Sequence, residues 1–154
     1  MEKFLENLQK AEKTINTCDH IVYVTFPLIK DKNLLLKVFT ETKKGIGYCI
    51  NAILQYEYLY KRIKLFKNPK INLRTFQEKC SIRYNITKQE NNLITNLFNL
   101  AENHKKSSME FMRNEKIIIL SENLETKSIS IEKIKEFLIL AKNILEKSKN
   151  KILR

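Results

Sequence analysis

Glycine, proline and tryptophan are scarce in this chain, whose 154 residues include two Gly, two Pro and no Trp. Sandwiches, barrels and dinucleotide-binding folds need glycine at many tight turns, so this shortage argues against all three. Long helices with few interruptions remain. The length fits a single domain, residues 1–154, whose core is large enough to need neither disulfides nor a structural metal.

The chain also lacks the motifs of the common enzyme and metal-binding classes. It has two His, no glycine-rich phosphate loop and no Gly-x-Ser-x-Gly nucleophile turn. Its three cysteines, Cys18, Cys49 and Cys80, are far apart and form no Cys-x-x-Cys pair, which argues against a zinc site. We therefore expect no metal, no cofactor and no catalytic residue, and we interpret the chain as non-enzymatic.

The amino terminus begins with the charged residues Glu2 and Lys3, and no apolar stretch approaches the length of a membrane span. This pattern differs from that of a secretory signal peptide. Together with the odd number of cysteines, it predicts a cytoplasmic protein with reduced thiols and no membrane association.

Positive charge dominates the composition, with a formal net charge of +12. Lysine supplies 24 of the 29 basic residues and arginine only five. Phosphate sites favour arginine for its planar fork, and the 24 Lys, 16 Asn and 20 Ile all have AT-rich codons. Codon bias and polyanion binding therefore both remain open as sources of the charge, and its position along the chain is more informative than its total.

The excess charge lies in two stretches. Residues 61–88 contain nine basic residues against Glu78 alone, and the stretch from Lys142 onward contains five against Glu146. A basic block of this density attracts phosphates by counterion release, although a solvated helix face would have the same composition. We predict that the first stretch binds a polyanion through Lys61, Arg62, Lys64, Lys67, Lys70, Arg74 and Arg83.

Apolar residues recur at three- and four-residue steps along most of the chain, which is typical of helices with one buried face. Pro27 ends or kinks the first helix, and a strand over residues 21–26 is the alternative. Asp31, Ser130 and the capping box formed by Thr87 and Glu90 predict three further helix starts. The predicted helices are residues 2–26, residues 31–65, residues 73–80, residues 87–104, and a last helix that starts after Ser130 and frays in the lysine-rich tail.

A β signal interrupts this pattern near the end of the chain. The run Lys116-Ile-Ile-Ile-Leu120 and the segment Thr126–Ser130 flank polar residues and predict two paired strands. Ser107 and Glu110, which have capping-box spacing, predict one short helical turn before them. The predicted fold is all-α, a four- or five-helix bundle with one small β-hairpin near residues 116–130.

Glu57 falls on the inward stripe of the second helix, in phase with Ile53 and Tyr60. A carboxylate in such a position is costly unless it is paired or protonated. The pattern leaves open a buried general acid or base and a structural role, in which Glu57 hydrogen-bonds a tyrosine hydroxyl or pairs with an arginine from the basic stretch, and it favours the structural role.

A second polar cluster lies in residues 102–116. Because it combines cations, hydroxyls and an expected helix start, it predicts a possible anion site formed by His104, Lys105, Ser107 and Arg113. An exposed connector with capping serines is the alternative, and phosphodiester hydrolysis around His104 and Arg113 is a further one.

Two parts of the chain resemble known families. The run Ala11-Glu12-Lys13-Thr14-Ile15 through Asp19-His20 and Val22-Tyr23, with Tyr56-Glu57 on the second helix, resembles the opening helix pair of HEPN-type domains. The stretch from His104 to Ile117 is similar to small archaeal helical proteins of unassigned function. HEPN ribonucleases carry an Arg followed four to six residues later by a His, and no Arg in this chain has a His at that spacing. The resemblance therefore implies a catalytically silent helical relative that binds or dimerises.

We thus predict a small basic helical module that binds RNA, another polyanion or an acidic protein through residues 61–88. The alternative is a structural homodimer or protein-interaction module of HEPN-like topology. In that alternative, Gly45 and Gly47 on the second helix lie at the interface, because small residues allow close helix approach.

Overall fold

The computed structural model describes residues 2–107, 109–121 and 125–154. In this part of the chain, five helical rods pack with one three-stranded antiparallel sheet. The predicted helical bundle is confirmed, but the small β element has three strands where two were expected. The α-helices are α1 (Lys3–His20), α2 (Phe26–Ile29), α3 (Lys32–Leu59), α4 (Pro69–Thr75), α5 (Lys88–Lys105) and α6 (Ile131–Ile152), and the strands are β1 (Met109–Arg113), β2 (Lys116–Leu120) and β3 (Thr126–Ser130).

The first rod continues past its predicted end at Phe26. A π-helical segment, Ile21–Thr25, joins α1 directly to α2, and the Phe26 amide donates to the Ile21 carbonyl five residues back. Pro27 lies in the first turn of α2 and cannot donate one backbone hydrogen bond of the continuous rod, but its fixed φ is compatible with a helix. The helix therefore passes through the proline and ends at Lys30, which has a positive φ of 53°. The strand alternative for residues 21–26 is wrong.

Helix α3 runs through the centre of the molecule and packs against α1 and α6. The predicted cap is confirmed, because the Asp31 side chain accepts a hydrogen bond from the Asn33 amide. The helix ends at Leu59, earlier than expected, since the backbone at Lys61 turns to a φ of 60°. Gly45 faces α1, where a Cβ atom on it would lie 2.8 Å from Ile15 Cγ1.

The next two helices begin at side-chain caps. The Asn68 side chain accepts from the Lys70 amide at the start of α4, and the π-helical segment Phe76–Cys80 extends that helix. The expected short helix over residues 73–80 thus begins earlier, at Pro69. Thr87 and Glu90 form the predicted capping box of α5, with both reciprocal hydrogen bonds present.

The sheet has the strand order β1-β2-β3, with both pairs antiparallel. The two predicted strands are confirmed as β2 and β3, although most of the polar segment between them, residues 122–124, lies outside the described residues. The short helical turn expected before them is wrong, because this segment forms β1. Asn114 and Glu115, both with positive φ, make a two-residue turn between β1 and β2, which is the backbone that a tight hairpin requires. Ile117, Ile119 and Ile129 bury one face of the sheet in the core.

The last helix, α6, starts at the predicted cap, where Ser130 Oγ accepts from the Lys133 amide. It remains helical to Ile152, so the expected fraying of its lysine-rich end is not observed. Among the described residues, no helix combines the length and the apolar character that crossing a membrane requires.

Candidate nucleic-acid interface

The first part of the basic stretch lies on the loop that follows α3, residues 60–68, which we call the basic loop, and on α4. Lysines and an arginine in this stretch are exposed, and within residues 2–107, 109–121 and 125–154 they have no acidic partner. Lys70 and Arg74 are four residues apart and therefore share one face of α4. On the loop and α4, the exposed cations without a carboxylate are Lys61, Lys64, Lys67, Lys70 and Arg74, and Lys79 and Lys88 farther along the stretch are also exposed and unpaired within the same described ranges.

A side-chain clasp holds this loop against α4. The Phe66 amide donates to Asn72 Oδ1 at 2.9 Å, and Asn72 Nδ2 donates to the Phe66 carbonyl at 2.7 Å. One amide side chain thus satisfies both backbone groups of Phe66, as a neighbouring β-strand would. The clasp fixes the loop that contains Lys64 and Lys67 next to the helix that contains Lys70 and Arg74.

Two of the predicted binding residues, Arg62 and Arg83, are paired with the buried Glu57. Arg62 Nη1 lies 2.8 Å from Glu57 Oε2, and Arg83 Nε lies 3.3 Å from Glu57 Oε1. The carboxylate is 3% exposed, whereas the two arginines are 36% and 44% exposed. This arrangement matches the ion-pair interpretation of Glu57. The three side chains together retain one positive charge at the edge of the basic surface.

The groups beside Glu57 are held in their neutral forms. Burial, with a smaller contribution from Glu57, raises the pKa of the Cys80 thiol to about 12. Burial and Glu57 also raise the pKa of Tyr84 above its usual range. In α3, burial raises the pKa of Cys49 to about 12. A thiol needs its thiolate form to react, so neither cysteine is suited to nucleophilic chemistry at neutral pH.

The second basic stretch, at the end of α6, is largely paired within the molecule. Lys142 pairs with Asp19, Lys149 with Glu12 and Lys147 with Glu90. Lys147 also donates to the Asn85 carbonyl at 2.7 Å. These lysines therefore tie α6 to α1 and α5, while the cations on the loop and α4 face solvent without carboxylates.

The residues of the anion site predicted near residues 104–113 lie partly at the end of α5 and partly on β1. His104 Nδ1 lies 2.7 Å from Glu110 Oε2, and Ser107 Oγ donates to Glu110 Oε1 at 3.0 Å. The carboxylate thus occupies the position between His104 and Ser107 where an anion was expected. Lys105 is exposed on the last turn of α5. Arg113 projects from the opposite face of β1 to Glu110, because side chains alternate along a strand.

An apolar groove beside the basic loop was not predicted from the sequence. It lies between the start of α1 and the end of α3, has a volume of about 830 Å³, and is lined in part by Lys3, Phe4, Tyr58, Leu59 and Leu65. Tyr58 is 56% exposed. The sequence signal that could have indicated this groove is the position of Tyr58, which lies off the inward stripe of α3 and two residues before Tyr60.

No group of three His, Cys, Asp or Glu side chains in the described ranges could hold a metal ion. The candidate site consists of exposed cations, the paired carboxylate of Glu57, and a groove whose lining includes the exposed ring of Tyr58 and the side chain of Glu2. Comparison with known proteins found no matching family model, no matching curated protein and no matching solved structure.

Proposed function

We propose that this chain is a non-enzymatic module that binds RNA through residues 61–88. The observation that carries the proposal is the contrast between the two basic stretches. Three of the five cations in the second stretch pair with carboxylates of α1 and α5, whereas five cations on the loop and α4 lack acidic partners in the described structure. Unpaired, exposed cations are available to replace the counterions of a phosphate backbone.

The physical basis of such binding is counterion release. If all five unpaired cations contact phosphates of a single strand, the logarithm of the binding constant should fall with the logarithm of the salt concentration with a slope of about −3.5. Arg62 and Arg83 lie at the edge of this surface, and their pairing with Glu57 leaves them one positive charge to share. We therefore assign most of the affinity to Lys61, Lys64, Lys67, Lys70 and Arg74.

A charge-reversal variant tests this proposal. Lys64→Glu, Lys67→Glu and Arg74→Glu together should abolish RNA binding in a filter-binding titration and leave the thermal midpoint nearly unchanged, because all three side chains are exposed and unpaired. The matched control is the triple variant Lys13→Glu, Lys37→Glu and Lys127→Glu, which changes the net charge equally at exposed positions on α1, α3 and β3. The control should bind RNA nearly as the wild type does.

Two results would contradict the proposal. An equal loss of binding in both triple variants would mean that only the total charge matters, and wild-type binding that does not depend on salt would remove counterion release as the driving force.

The homodimer alternative remains a prediction, but one of its two glycines is already in use. Gly45 packs on Ile15 of the same chain, while Gly47 has open space around it. Sedimentation at several protein concentrations tests this alternative, and a strict monomer would remove it.

A further inference from the structure

We propose that the RNA bound by this surface is single-stranded and that one of its bases stacks on Tyr58 in the apolar groove. This inference rests on the proposed function, since it names the form of RNA that the same surface selects. It follows from the position of the groove, the contacts that join it to the basic loop, and the difference between single-stranded and duplex RNA.

The groove offers an aromatic face that the protein itself leaves uncovered. Tyr58 is 56% exposed and Leu59 is also exposed, while Phe4 and Leu65 form other parts of the lining. A volume of about 830 Å³ lies within the range of small-ligand sites, roughly 300–1,000 Å³, and is ample for one nucleobase. Exposed aromatic rings next to a basic surface are the platforms on which bases stack in single-strand-binding proteins, and Glu2, Lys3 and Gln55 form the polar part of this lining.

A series of ring contacts connects Phe4, in the groove lining, with Arg62 at the edge of the basic surface. Phe4 meets Tyr56 edge-on with ring centroids 5.2 Å apart, and the centroids of Tyr56 and Tyr60 are 4.9 Å apart. The guanidinium of Arg62 then lies 5.0 Å from the centre of the Tyr60 ring. Leu65 lines the groove, and its chain neighbour Lys64 is one of the unpaired cations. A strand whose phosphates contact Lys64 would therefore pass beside the groove that Leu65 and Tyr58 line.

Only a single strand can use both features. In an RNA duplex the bases are stacked on one another inside the helix, so a duplex presents its phosphates but no free base face. The unpaired cations would attract both forms, whereas the groove would add affinity only for an unstacked base. The surface should therefore prefer single-stranded RNA.

The absence of tryptophan allows a direct test. Tyr58→Trp places the sole indole of the protein in the groove. Its fluorescence should be quenched by a short oligoadenylate and not by an RNA duplex of the same length. The matched control is Tyr23→Trp, because Tyr23 is 50% exposed but lies on the π-helical segment beyond the far end of α1. The control should show no quenching with either RNA.

Affinity measurements complete the test. Tyr58→Ala should weaken oligoadenylate binding roughly 5- to 100-fold, leave duplex binding unchanged, and be rescued by Tyr58→Trp. Tyr23→Ala should change neither affinity. If Tyr58→Ala is neutral, or if Tyr23→Trp is quenched as strongly as Tyr58→Trp, base stacking in the groove is wrong, although a charge-dependent affinity would leave the proposed function standing. Wild-type protein that binds neither RNA would overturn both proposals.

Discussion

Arg62 donates a 2.8 Å hydrogen bond to Glu57, the carboxylate that ends the buried stripe of α3. Arg83, which follows the π-helical segment Phe76–Cys80, approaches the other oxygen of the same carboxylate at 3.3 Å. One buried charge therefore joins three parts of the chain: α3, the basic loop and the connection to α5. The pairing gives Arg62 and Arg83 a structural role next to the surface that we propose for RNA.

We expect the two arginines to substitute for each other in stabilising Glu57. Arg62→Met or Arg83→Met alone should lower the free energy of unfolding by about 1 kcal/mol, because both arginines are partly exposed and each variant keeps one partner. The double variant leaves a buried carboxylate unpaired and should lose about 3–5 kcal/mol, more than the two single losses together. Urea unfolding measures all three values.

Glu57→Gln provides the control for this cycle. Added to the double variant, it removes the unpaired charge and should restore part of the lost stability. Strictly additive effects, with no recovery from Glu57→Gln, would show that the carboxylate does not depend on these two partners.

The two glycines of α3 should respond in opposite directions to alanine. Gly47→Ala meets nothing within 4 Å and should stabilise the helix by up to about 1 kcal/mol through helix propensity. Gly45→Ala would place its Cβ 2.8 Å from Cγ1 of the buried and β-branched Ile15, so overpacking of about 1–3 kcal/mol should outweigh the same gain. Thermal unfolding of the two variants decides the matter, and equal stabilisation by both would refute the close contact.

Glu90 should make the protein acid-sensitive. Burial acts to raise the pKa of Glu90, but hydrogen bonds from Lys147 and Thr87 and the charge of Lys147 outweigh it, so this pKa lies below the ordinary value of 4.5. The stabilisation is therefore present above pH 4.5 and is lost as the pH falls, because the unfolded chain takes up the proton first. Between pH 7 and pH 3, the wild type should lose about 1 kcal/mol more than Glu90→Gln.

Urea midpoints across this pH range measure the difference. Glu136→Gln is the matched control, because Glu136 is exposed on α6 and has no ion pair in the described structure. If Glu90→Gln loses as much stability on acidification as the wild type and the control, the pair with Lys147 contributes nothing.

Features that depend on neighbouring residues were the most predictable from the sequence. Asp31, Thr87 with Glu90, and Ser130 cap their helices as expected, since a cap needs only a side chain and an amide two or three residues later. The same rule gave a wrong prediction at Ser107 and Glu110, where a short helical turn was expected. There the Ser107 hydroxyl bonds the Glu110 carboxylate instead of its amide, and Asn114 with Glu115 turns the chain into a hairpin.

The pairing of the charges was less predictable, because it depends on contacts between residues far apart in the chain. Lys142 and Asp19 are separated by most of the sequence, and the residues between them give no sign that they meet. The exposed groove at Tyr58 likewise needs the start of α1, the end of α3 and the loop to be brought together. The basic composition of residues 61–88 was visible, but its distinction from the paired cations of α6 required the fold.

The clasp between Asn72 and Phe66 has a consequence for the rate at which the proposed RNA ligand would bind. Since both backbone groups of Phe66 are already satisfied by one side chain, the loop is preorganised before any partner arrives. If RNA binds this surface as we propose, ordering this segment should carry no large entropic penalty, and diffusion and electrostatic steering should govern the association rate. The two hydrogen bonds that hold the loop against the seven-residue helix α4 would thereby raise the association rate of the proposed complex.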